Sequence, residues 1–404
     1  MVLDALSIEL PSSIAALIAL GCVVTPSPSV GARVHSVLGP GSAWLRAALP
    51  LVTVPAFLLP AAADTPSAEA LPKLALLCSG AILATTAVAG HVARAMAGAT
   101  TVLIETQACA STAAATRVLN SPYTAAGAML VGFGATLTMG LAASLTTTPP
   151  AIIRAPAYVG LSVAAYVAAS RLLPQGAKKF CPPNVGCAIL LLGVLMPVGG
   201  LAEVRCYLEC AGTILMSAVH PAMVTLGLYA HSHRAILREQ RLTFAILASA
   251  VAPALLFTTA FAGRAIGLKP EEVASVLPAS TTTGLALTMP TGCPLIRQEW
   301  VAAGTAFFSG VTQVTMPLLL ATTGLGSACP PLARGVAVGA VAHVGGMAAL
   351  IAAGDLAAGE FAAVALVACG VSRGVMMQCP PISRALAYAC GGDEHSSIQR
   401  ASEG

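Results

Sequence analysis

Apolar residues run along this chain in long unbroken stretches, punctuated by short polar or Pro-rich links. Measured against the ~20 residues that a helix needs to span a bilayer, about twelve stretches qualify as apolar segments. They centre on 12–25, 42–62, 71–93, 123–146, 154–173, 184–202, 207–230, 242–266, 273–290, 299–322, 331–352 and 357–380. The runs are long and do not alternate apolar with polar positions, so they predict helices rather than barrel strands. The first is short. Two others, 207–230 and 273–290, are interrupted by Pro, Gly, His and Thr and predict broken or re-entrant helices. Residues 94–121 form the longest weakly apolar link, with Arg94, Glu105, Gln107, Arg117 and Asn120, and mark the boundary between two halves. The tail from Gly391 is polar and is expected to be disordered.

Composition sharpens this picture. Hydrophobic residues make up 57% and charged residues only 9%, with a mean hydropathy of +0.85. An ordinary soluble domain carries about 25% charged residues, so too little charge is present to coat a water-exposed surface. The expected fold class is all-α: a polytopic membrane protein, with inverted repeats and broken or re-entrant helices in its C-terminal half. Ala and Gly dominate and aromatics are 4%, which suits closely packed membrane helices. The 12 cysteines lie mostly within apolar runs and are expected to be buried, reduced thiols. Cys206 and Cys210, one turn apart beside Glu209, do not complete a zinc site. Met1–Leu10 holds Asp4 and Glu9 and lacks the basic start of a signal or transit peptide.

A net charge of +4 is spread through short links, which excludes a nucleic-acid partner and fits the bias of basic residues toward one membrane side. Arg171, Lys178 and Lys179 share one link, and Arg234, Arg238 and Arg241 another, two spans apart and hence on the same side. Glu203 and Glu209 fall between them, on the opposite side. With 273–290 re-entrant, Arg334, Arg373 and Arg384 are expected on the basic side and Asp355 and Glu360 on the other. His231 and His233, beside a basic link, are expected to be solvated.

Two stretches echo each other. Pro221-Ala222-Met223-Val224-Thr225-Leu226-Gly227-Leu228 and Pro278-Ala279-Ser280-Thr281-Thr282-Thr283-Gly284-Leu285 share Pro, Ala, Thr, Gly and Leu in register, 57 residues apart. One span between them would invert the second copy. Paired interrupted segments of this kind point to a transporter site near the bilayer midplane, with half-helix N–H groups favouring an anion. Chance similarity in an Ala/Gly/Leu-rich chain is the alternative.

Several stretches resemble the LrgB/CidB-type membrane protein family. These are Asn184–Leu195, His220–Tyr229 with the basic run to Arg241, Ser275–Ala286 (SVLPASTTTGLA) and Arg334–Ala348 (RGVAVGAVAHVGGMA). More faintly, Leu10–Ile14 and Leu49–Leu59 resemble the LrgA-type partner of that family. The resemblance implies an LrgA-like membrane region with linker over 1–120, an LrgB-like transport domain over 121–385 and a polar tail over 386–404. Fused chains of this kind resemble the plastidal glycolate/glycerate-translocating branch, which implies transport of small 2-hydroxy or 2-oxo monocarboxylates across a plastid inner envelope. Ala279 stands where the family motif has Lys, Gly284 where it has a second Pro, and Met347 where it has Thr.

Ser280, Thr281, Thr282 and Thr283 are consecutive hydroxyls in an apolar stretch and are candidate donors to a carboxylate. Their alternative role is bonding back onto their own helix. His343, before Gly345 and Gly346, is an intramembrane ionisable residue, able to donate to the substrate or to carry a coupling proton. A neutral His bonded to a nearby carbonyl is the alternative. His220 and Thr225 in the first broken segment complete the candidate substrate-binding set. Walker loops and dinucleotide-binding turns are lacking, so neither an enzyme nor an ATP-driven pump is expected, and no cofactor or metal. The expected partners are a small carboxylate and the lipid bilayer, with a homo-oligomer as an option. A holin-like membrane regulator without substrate is the alternative function.

Overall fold

The computed structural model describes residues 34, 51, 53–55, 58, 67, 69–97, 151–174, 181, 183–218, 233–281, 283–288, 293, 295–341, 346–347, 349–350 and 353–392. Every regular element among them is helical. In chain order these are α1 (Ala70–Met96), α2 (Ala151–Leu172) and α3 (Pro183–Tyr207), which runs through a π turn, Leu208–Gly212, into α4 (Thr213–Ser217). Then come α5 (Arg234–Glu239), α6 (Arg241–Ile246), a second π turn (Leu247–Val251) and α7 (Ala252–Ala265). They are followed by α8 (Pro270–Val276), a 3-10 turn (Pro278–Ser280), α9 (Thr283–Thr288), α10 (Gln298–Thr322), α11 (Pro331–Ala340), α12 (Leu356–Gln378) and α13 (Pro380–Ala389). Among the described residues four stretches are long and apolar enough to cross a membrane: Ala70–Met96, Pro183–Ser217, Arg241–Ala265 and Leu356–Gln378. The predicted segments 12–25 and 123–146 lie outside the described residues, as does most of 42–62.

The chain forms two compact units. The smaller comprises Ala32–Thr65 and Glu105–Thr225. Its core sets Val54 and Leu58 among Tyr158, Ala165, Leu191, Leu195, Val204 and Tyr207. Within α3, Gly199 (φ −152°, ψ 15°) and Gly200 (φ 63°, ψ −148°) leave helical geometry. In a straight helix Cys187 and Tyr207 would stand ~30 Å apart. Yet the Cys187 thiol lies 3.5 Å from the Ser162 carbonyl, and the Tyr207 hydroxyl 2.8 Å from Ser162 Oγ. The chain therefore folds back at Gly199–Gly200, where Gly200 adopts a left-handed φ that would strain any residue with a Cβ. The two predicted segments 184–202 and 207–230 thus meet at a glycine turn. Glu203 and Glu209 sit in the returning helix rather than in a link, and Glu203 accepts a hydrogen bond from Tyr158.

The larger unit comprises Met1–Gly31, Pro66–Ile104 and Leu226–Gly404. α1 fixes its two ends. At the first end Lys73 Nζ donates to the Gly267 carbonyl (3.4 Å), and at the second the His91 ring meets the Thr323 carbonyl (2.9 Å). Between them Ala89 and Ala93 pack among Leu332, Val336 and Ala340 of α11. α1 falls inside the 1–120 region of the sequence division, yet it is part of this unit's core.

Two segments of the larger unit do not run through it. The first leaves the first end at α8, capped by Glu272, whose carboxylate accepts from Lys269 N (2.8 Å). It returns to the same end at Arg297, whose N–H donates to Ser275 Oγ (3.0 Å) and whose guanidinium lies 3.5 Å from Glu271. Between these points Ala279 packs on Gly304 of α10 and Leu285 on Gly370 of α12. The second segment leaves the second end at α11. It returns at Asp355, which pairs with Arg334 at 2.6 Å. Leu350 on the way back packs with Leu320, Leu325 and Ala333. α11 has 10 residues, about 15 Å of helix, half of the ~30 Å hydrocarbon core. The described part of the predicted span 331–352 therefore starts and finishes at the same end of the unit.

α10 and α12 lie antiparallel between these two segments. α10 has 25 residues and buries Thr305 and Thr312 on its face. Gly335 and Gly339 let α11 press on α12, where a methyl on either would overlap the carbonyl oxygens of Ala358 and Ala362.

Contacts correct the charge assignment. Arg334 and Asp355 share one end instead of opposite ones. Glu360 pairs with His233, whose 4% exposure makes it buried, not solvated. Arg373 is 1% exposed and lies inside the unit rather than at an interface.

Candidate functional site

The first break has a local cause. Pro278 lacks an N–H and ends the α8 hydrogen-bond ladder, and Thr281 then turns extended (φ −116°, ψ 175°). The Pro278 carbonyl accepts twice, from Thr281 N (3.0 Å) and from Thr281 Oγ1 (2.8 Å). Thr281 is fully buried. Its hydroxyl proton is given to this turn, so its lone pairs are what it offers to a neighbour. Ser280 closes the 3-10 turn and Thr283 opens α9. The side chains of both, and all of Thr282, lie outside the described residues.

The second break lies at the tip of the other segment. Gly346 packs against Val338 and against Thr312 of α10, where a methyl would crowd both. Among the described residues Thr312 Oγ1 is buried without a hydrogen-bond partner, an arrangement that costs about 1–3 kcal/mol unless a guest completes it. His343 and Gly345 lie outside the described residues, as do His220 and Thr225.

The two breaks share their walls. Gly304, under the first break, and Thr312, under the second, are both on α10, about 12 Å apart along its axis. Gly370 and Ala362 on α12 repeat that relation. The fold thus brings 279–285 and Gly346 toward each other from opposite ends. Thr312 was not singled out in the sequence, where it is one of several hydroxyls in α10; its orphaned oxygen becomes visible only with the packing. The buried pair of His233 and Glu360, 127 residues apart, also had no local signal. Among the described residues no three His, Cys, Asp or Glu side chains cluster as metal ligands would, and the described cysteines are free thiols.

The LrgB-like family model matches residues 162–380, more than half of the chain. This chain belongs to the LrgB-like family. The match covers the folded-back helix of the smaller unit and both broken segments of the larger one, so the described features of the site fall within LrgB-like sequence. The chain is also similar to plastidal glycolate/glycerate translocator 1, chloroplastic, of Arabidopsis thaliana. The identity is 25% over 427 aligned positions, covering 96% of this chain and 77% of that relative. No solved structure matches.

Proposed function

We propose that this LrgB-like protein is a secondary transporter of small monocarboxylates of the glycolate, glycerate and pyruvate kind, driven by a proton gradient across a plastid envelope membrane. The observation that carries the reading is the pair of re-entrant segments, which enter the larger unit from opposite ends and break against the same two helices. Broken segments in inverted arrangement around a common pair of helices form a site that either face can reach in turn. A passive membrane assembly has no use for buried hydroxyls at both breaks. In this reading Ser280–Thr283 and Thr312 hydrogen-bond the substrate, Gly345 and Gly346 allow its close approach, and His343 carries the proton. The LrgA-like region over 1–120 acts as scaffold to the transport domain over 121–385. The similarity to a translocator fits transport in place of catalysis.

Liposomes holding purified protein test the assignment of roles. With an inward proton gradient, labelled glycolate uptake is expected to saturate in the wild type. Thr282→Val is expected to raise KM roughly tenfold, the loss of one hydrogen bond to a charged group. His343→Ala is expected to abolish the response to the pH step. Unchanged kinetics in both variants would remove this site from the mechanism.

A further inference from the structure

The broken segment carries no cation of its own: between Lys269 and Arg297 there is no Lys, Arg or His. The fold brings one to it from elsewhere. Arg373, 1% exposed, lines a narrow cavity of about 10 Å³ together with Val276 and Leu277, the last residues before the break, and with Thr85, Thr259 and Phe308. The turn that presents Arg373 is pinned, because Ser372 Oγ donates to the Ala248 carbonyl inside the π turn before α7. An ionised side chain held inside a membrane unit is costly and marks a pathway or a binding site. A planar guanidinium in particular matches a carboxylate through two parallel hydrogen bonds.

Thr259 adds direction to the cavity. Its Oγ1 donates to the Leu255 carbonyl at 2.7 Å, so its proton is committed and its free lone pairs accept. A group beside the carboxylate that donates, such as a 2-hydroxyl, satisfies Thr259. A 2-oxo group meets it lone pair to lone pair. We propose that Arg373 receives the carboxylate of the transported acid and that Thr259 selects 2-hydroxy over 2-oxo acids. The inference rests on the transport reading for its substrate class. In the present conformation the cavity admits about one water, so binding requires α8 to part from α7 and α12, the movement that opens one face in alternating access.

Ligand-induced thermal stabilisation of the purified full chain tests this separately from transport. The wild type is expected to gain stability with glycolate but not with uncharged glycolamide, and to gain more with glycolate than with pyruvate. Arg373→Gln is expected to lose the glycolate response. Thr259→Val, a nearly isosteric change that keeps the charge, is expected to lose the preference for glycolate over pyruvate, roughly tenfold in affinity, while still responding to both. Should Arg373→Gln not fold, Thr259→Val alone decides. A wild type indifferent to glycolate, or a Thr259→Val protein with the wild-type preference, overturns the inference. So does a folded Arg373→Gln protein that keeps the glycolate response, which would leave Arg373 a structural role at the bend. Uptake by the wild type without any such dependence leaves transport standing and this site rejected. Stabilisation without uptake does the reverse.

Discussion

Single residues decide how closely the helices of the larger unit approach. Gly339 meets the Ala362 backbone across the α11–α12 contact, and no side chain can be added without moving one helix. Gly339→Ala is expected to destabilise by about 1–3 kcal/mol, the usual cost of overpacking, read as a lower unfolding temperature in detergent; an unchanged temperature would mean that the contact is looser than described. At Cys390, beyond α13, burial pushes the thiol up to about 12. Near pH 8 it is therefore protonated and shielded. Maleimide is expected to label Cys390 only after unfolding, as mass spectrometry would show, and rapid labelling of the folded protein would refute its burial. Legibility at this scale follows locality. The hydroxyl run 280–283 stands out because four polar residues interrupt an apolar stretch, and Thr281 does sit at a break. Arg373 and His233 were misplaced because their surroundings come from helices distant in the chain, which no local pattern encodes.

Elements were legible where their apolar length and their breakers agreed. Segments 71–93, 242–266 and 357–380 correspond to α1, α6–α7 and α12 within a few residues, because each is a plain apolar run of spanning length. The break in 273–290 was announced by Pro278 and the threonines that follow it. The 331–352 stretch was read as a span because its length fits one. Its return is fixed by the Arg334–Asp355 pair and the packing of Leu350, contacts that hydropathy does not see. Sidedness tests the first of these segments. Cysteines introduced at Glu271 and Arg297 are expected to react from one side of sealed vesicles, and a cysteine at Ser327 from the other. Reaction of positions 271 and 297 from opposite sides would make the first segment a true span.

On the scale of the whole molecule, low charge and long apolar runs established a helical membrane protein, and its LrgB-like motifs led to a family that the comparison bears out. What composition could not convey is the arrangement: two segments from opposite ends, breaking against α10 and α12, with Thr281 at the first break and Thr312 of α10 facing the second. α10 illustrates why: it reads in the sequence as one more apolar segment, and only the packing shows its Gly304 under the first break and its Thr312 under the second. Transport by alternating access is what this arrangement is proposed to serve. The most direct test is counterflow in proteoliposomes. Vesicles loaded with unlabelled glycerate and diluted into a trace of labelled glycolate should accumulate label transiently above its outside concentration, then lose it. Label that merely equilibrates, or never enters vesicles holding folded protein, would contradict a carrier that moves these acids through one alternating site.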